Sequence, residues 1–160
     1  MALAVPLLRF TWQVVGGSTI GGTTRTKNMK DQLSQFAVYT IRSASKLRDI
    51  SARGGIGQFS EHKKWVAARG LFEQVTKAGA RLPIIFADAG NAFDSLIYYA
   101  FISDLSMDQS TTTYSFEGLR HIDSKLPKSS LRLRSTGAPL SDDYIRPYAI
   151  VHRPDYICAA

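Results

Sequence analysis

The chain has 160 residues and one cysteine, Cys158, so no disulfide can form within it. Hydrophobic residues make up 44%, which suits a packed core and argues against intrinsic disorder. No run of eighteen apolar residues exists, so no helix is expected to span a membrane. The formal charge of +7 and pI near 9.7 favour an anionic partner: nucleic acid, acidic protein or anionic lipid. A length of this order fits one domain over residues 1–160. The low cysteine usage fits a reducing compartment, cytoplasmic or nuclear. The apolar start, Met1 to Leu8, has no basic stretch before it and is broken by Arg9, so it is a poor secretory signal.

Residues 7–15 alternate, with Leu8, Phe10, Trp12 and Val14 on one face, and read as a strand. The segment 16–28 follows, with four glycines among Thr and Ser, and reads as a flexible arm. Phe36–Arg42 is a second strand. Ser43 or Ser45 caps a short helix to about Ala52, ended by Gly54–Gly55. Ser60 is the expected N-cap of the next helix. Trp65, Ala68, Phe72 and Val75 recur along it at helical spacing, and Gly79 closes it. Leu82–Ala87 is a short apolar run that suits a buried strand. Leu96–Leu105, a turn at 108–111 and Thr112–Phe116 read as a β-hairpin. Leu131–Arg134 and Tyr148–His152 are further strands, separated by an irregular crossing over 135–147. Helices grouped between strands, with strands collected at the end, give an α+β fold. The expectation is a strongly curved sheet or pseudo-barrel of five or more strands, packed with two or three helices.

That order resembles the PUA-like superfamily, in particular its EVE and YTH branches. Phe36 to Ser43 is similar to their first strand and serine cap, and His62 to Arg69 to the start of their second helix. Leu82–Phe86 and Leu96–Ala100 are similar to their two central strands. The resemblance covers about residues 36–116. It implies a nucleic-acid-binding barrel, in some relatives reading a modified base in an aromatic pocket. Near the position of the YTH cage tryptophan this chain has Gln58 and Phe59, while Trp65 lies on the apolar stripe of the second helix. A specificity for methylated adenine is therefore not carried over.

The basic residues cluster. Arg42, Lys46, Arg48 and Arg53 lie on the first helix and its approach, and Lys125, Lys128, Arg132 and Arg134 lie in a second stretch. Phosphate binding needs several cations acting together, because each contact releases a counterion. Arg132 and Arg134 on one strand face would stand about 7 Å apart, from a rise of roughly 3.3 Å per residue. Trp12, Phe59, Tyr98 and Tyr99 are the aromatic candidates for a pocket, since a stacked base contributes about 1–3 kcal/mol. Tyr98 and Tyr99 must point to opposite faces of their strand.

Catalytic signals are weak. The three histidines are isolated, no zinc-ligand spacing or phosphate-loop fingerprint occurs, and no cofactor or metal is expected. Asp88, Asp94, Asp104, Asp142 and Asp143 leave a small metal-dependent nuclease or hydrolase as one alternative, and read better as solvated carboxylates. A basic domain that meets an acidic protein is the other alternative. The leading expectation is a nucleic-acid-binding module, for DNA or RNA, without hydrolytic activity of its own.

Overall fold

The structure is a computed structural model that describes residues 28–90, 95–141, 144 and 146–158. The expected strand over 7–15 with Trp12, the glycine-rich arm before residue 28, and Asp94, Asp142 and Asp143 lie outside the described residues.

A helical turn over residues 28–33 leads into six strands and two further helices. In chain order these are β1 (Phe36–Arg42), α1 (Ala44–Ala52), β2 (Gly57–Glu61), α2 (Val66–Lys77), β3 (Leu82–Asp88), β4 (Leu96–Met107), β5 (Thr112–Leu126) and β6 (Tyr148–His152). The strands form one mixed sheet in the order β2-β5-β4-β3-β1-β6. β1 and β3 run parallel, and the crossover between them carries α1, β2 and α2; the other neighbours are antiparallel. The α+β expectation, with helices packed on a curved sheet, matches this architecture.

Alternation along the central strands sends side chains to both faces of the sheet. Val38, Ile84, Phe86, Ala100 and Ile102 join Leu47 of α1 and Trp65, Ala68, Leu71 and Val75 of α2 and its approach in one core cluster. Ala37, Tyr39, Ile85 and Ala87 face the other way and are covered by Leu131, Leu140 and Ile157 from the C-terminal segment. With both faces covered, β3 is buried from Leu82 through Ala87, which is why it reads as a continuous apolar run.

Curvature comes from the long hairpin. The β4–β5 register slips at three places. One slip adds a residue between the pairs Phe101↔Glu117 and Tyr99↔Arg120, where Gly118 adopts φ +69°. A left-handed glycine is the usual occupant of such a bulge, and a bulge bends and twists its strand. β5 thereby continues to Leu126, ten residues beyond the end expected at Phe116.

Three other expectations need correction. Ser60 is not a helix cap: it lies in β2, paired with Thr113 of β5, and Trp65 takes the N-cap position of α2. Sequence reading missed β2 because its five residues, Gly-Gln-Phe-Ser-Glu, carry only one large apolar side chain. Ser43 stands at the N-cap position of α1, but its hydroxyl lies 2.9 Å from that of Ser45 and caps no helix N–H. Leu131–Arg134 is not a full strand. It makes two isolated bridges, Arg132↔Pro139 and Leu133↔Val151, the second held by His152 N–H to Arg132 O and Arg134 N–H to Ile150 O, each 2.9 Å. It then turns back on itself through Leu133 N–H to Ala138 O at 2.9 Å.

Candidate nucleic-acid interface

The sequence candidates do not converge on one place. Arg42 is half-buried and engaged: its guanidinium lies 2.6 Å from Glu61, donates through Nε to Tyr114 Oη at 3.0 Å, and sits 4.5 Å above the Phe59 ring. Phe59 in turn packs on Phe86, Tyr114 and Phe116. Both residues therefore brace the sheet around β2. Burial pushes the Tyr114 hydroxyl well above the ordinary phenol range, against the opposing pull of the Arg42 charge. Lys46 and Arg48 stand exposed on α1, and Arg53 is exposed at its C-cap. Lys125 is exposed near the end of β5. Lys128 is buried, at 1% exposure, in a single 3-10 turn after β5, so its head is not presented to a phosphate at the surface. Arg132 is exposed and donates through Nη1 to Gly137 O at 3.1 Å, closing its own turn.

The aromatic candidates separate as well. Tyr98 is buried, edge-on to the His121 ring. Tyr99 is half-buried on the opposite face, beside Phe101 and Tyr156. Phe59 belongs to the cluster under the helices. No shared cage forms from these three.

A groove of about 640 Å³ opens instead where three segments meet: the approach to α2, the turn after Leu133, and the lead-in to β6. Its charged lining is Lys63, Lys64, Arg134 and Arg146, and none of its described lining residues is acidic. Tyr144, Tyr148 and Ser135 add hydroxyls. All four cations are exposed, and among the described residues none stands in an ion pair. Arg42, Arg69 and Arg81, by contrast, each hold a glutamate. Of the eight basic residues singled out from the sequence, only Arg134 lines this groove.

Each wall is fixed by identifiable bonds. The buried Thr112 hydroxyl accepts from Trp65 N–H at 2.9 Å and donates to Lys63 O at 2.7 Å, tying the Lys-Lys-Trp segment to the first residue of β5. Thr40 of β1 donates to Pro147 O at 2.8 Å and holds the third segment. Tyr148 Oη accepts from Ala67 N–H at 3.2 Å, and Tyr144 Oη donates to Tyr148 O at 3.0 Å. Arg134 lies over the Phe36 ring at 4.5 Å. Underneath, the buried Trp65 ring stacks between Tyr114 and Tyr148, at 4.8 Å from each. The tyrosines bordering the groove are thus backed by core rather than projecting freely.

Burial raises the Tyr144 hydroxyl above its ordinary range, and the Arg146 charge opposes that shift. At neutral pH this tyrosine is a neutral donor beside a fixed cation. Asp108, in the turn of the hairpin, is held below the ordinary carboxylate range chiefly by N–H bonds from Ser110 and Thr111; Lys64 makes the smallest of the contributions.

The sequence did contain a signal for this site. Lys63-Lys64 falls just before a helix start, and Tyr144-Ile-Arg-Pro-Tyr148 alternates rings with a cation. What no pattern showed is that these segments, about eighty residues apart, adjoin. Among the described residues no group of three His, Cys, Asp or Glu side chains is placed to hold a metal ion. Asp88 instead accepts from Gly90 N–H at 2.9 Å in a local turn, and Asp104 is exposed on β4. No helix of the described residues is long and apolar enough to cross a membrane. No family model and no curated protein matches the chain.

Proposed function

We propose that the chain is a nucleic-acid-binding module and that it grips phosphates in the groove between the start of α2 and β6. The observation that carries this reading is the convergence of Lys63, Lys64, Arg134 and Arg146 on one concave surface without a described carboxylate partner. Cations left unpaired in a concavity are suited to bind polyanions, since field lines concentrate there and each phosphate contact releases a counterion. The resemblance to the PUA-like superfamily is part of the proposal. It is supported by the order β1, α1, β2, α2, β3 and the β4–β5 hairpin, within which the resemblance covers about residues 36–116. A reducing compartment, cytoplasm or nucleus, fits the lone exposed Cys158.

The test is salt-dependent affinity for one labelled oligonucleotide. Lys63→Ala with Arg146→Ala removes two contacts, so the slope of log affinity against log salt becomes shallower by about 1.4 for a single strand, at roughly 0.7 per phosphate. Lys46→Ala with Arg48→Ala, on α1 outside the groove, leaves the slope nearly unchanged. A groove variant with wild-type affinity and slope would refute the placement. Binding that heparin abolishes without regard to oligonucleotide sequence or strandedness, with tight binding to an acidic protein, would favour the protein-interaction alternative.

A further inference from the structure

The charge of the groove is large for its size. About 640 Å³ lies within the range of sites that enclose a small molecule, roughly 300–1,000 Å³. A volume of that order suits about one or two nucleotide units more than a long track of backbone. Internal phosphodiesters bring one negative charge each, so a stretch of that length supplies about two against the four cations among the described lining residues. A phosphomonoester carries about −1.5 to −2 at pH 7 and offers three acceptor oxygens. A strand end with a terminal phosphate therefore matches the lining better than an internal segment does.

Two further features agree. The groove reaches the first turn of α2, where Ala67 lines it. That turn contains no acidic residue and the N-cap Trp65 makes no side-chain capping bond; Tyr148 Oη accepts from Ala67 N–H, and among the described residues no carboxylate offsets the positive end of the helix. Tyr144 and Tyr148 bring fixed ring surface to the same groove, and Trp65 covers one side of the Tyr148 ring. Cationic groups and a rigid aromatic wall thus line the same groove.

We infer that the groove recognises the phosphorylated end of a polynucleotide strand, with Lys63, Lys64, Arg134 and Arg146 around the terminal phosphate and the tyrosines against the terminal nucleotide. This rests on the nucleic-acid reading above.

Competition against an internally labelled strand tests it. The competitors share one sequence and carry a 5′-phosphate, a 3′-phosphate, hydroxyls at both ends, or no ends because the strand is circular. Each is prepared as DNA and as RNA. One phosphorylated form is expected to compete about tenfold better than the hydroxyl-ended and circular forms, the effect of one added charge-assisted contact. The preference shrinks from pH 7.5 to pH 5.5 as the phosphomonoester, with its second pKa near about 6, loses charge. It also collapses in the Lys63→Ala/Arg146→Ala variant, whose fold is checked by circular dichroism. Equal competition by all four forms overturns the end-recognition inference and leaves nucleic-acid binding standing. No competition by any form, with no binding of the probe, overturns both. Inorganic tripolyphosphate or a free nucleoside triphosphate matching the phosphorylated strand at equal concentration assigns the groove to free nucleotides and overturns the strand end.

Discussion

Thr112 is the residue whose replacement tests the architecture of the groove most cleanly. It is fully buried, and its hydroxyl both accepts from Trp65 N–H and donates to Lys63 O. Valine has the same shape without the hydroxyl, so Thr112→Val leaves a buried donor and acceptor without this partner. Each unsatisfied group costs about 1–3 kcal/mol, giving about 2–6 kcal/mol for the pair. Serine keeps the hydroxyl and loses one buried methyl, at about 0.5–1.5 kcal/mol. Urea unfolding followed by circular dichroism separates the two. Thr112→Val should unfold at the lower midpoint with an unchanged slope, and its melting temperature should drop by about 2–4 °C for each kcal/mol lost. Oligonucleotide affinity should fall for valine more than for serine, because Lys63 and Lys64 lose their tether to β5. A valine variant as stable as the serine variant would refute the claim that this hydroxyl fixes the segment.

Two glycines should respond in opposite directions. A Cβ at Gly57 would lie 2.7 Å from Phe116 Cζ and 2.9 Å from Ile50 Cδ1, so Gly57→Ala overpacks the seam between α1 and β5 and costs about 1–3 kcal/mol in chemical denaturation. At Gly70, inside α2, a Cβ meets nothing within 4 Å, and Gly70→Ala should stabilise by about 0.5–1 kcal/mol; a loss of stability there would contradict the open helix face. The Tyr156 hydroxyl is pushed up to about 12 by burial, with Tyr99 adding to the shift. The folded protein thus keeps a proton that the unfolded chain releases from pH 10 upward, so this contribution to stability is lost as pH rises between 10 and 12. Absorbance titration at 295 nm should show Tyr156 ionising late, and Tyr156→Phe should flatten the alkaline decline in stability; an ordinary midpoint near 10 would contradict its packing against Tyr99.

Elements with a strong local period were legible. The buried run of β3, the hairpin start at Leu96, the helix ended by Gly79 at φ +75°, and strands β1 and β6 all fall where the sequence places them. Each is specified within a window of a few residues, by side-chain alternation or a helix-ending glycine. β2 was not legible, because a short strand with one large apolar residue gains its stability from pairing with β5, not from its own composition. The far half of β5 was not legible either, since Gly118 marks a bulge and looks the same in sequence as a stop.

Function separates along the same line. Composition and charge determined that the chain carries a basic surface and a core large enough for an α+β fold, and residue pattern located most of that core. Charge density along the chain, however, singled out Lys128, which is buried, and Arg42, which holds Glu61 and covers Phe59. Only the tertiary structure brought Lys63 and Lys64 beside Arg134 and Arg146. Their meeting depends on Thr112 and Thr40, two buried hydroxyls that tie segments remote in sequence to neighbouring strands. A groove is a relation between such segments, and no local period or composition encodes a relation whose parts are joined only when the sheet has formed.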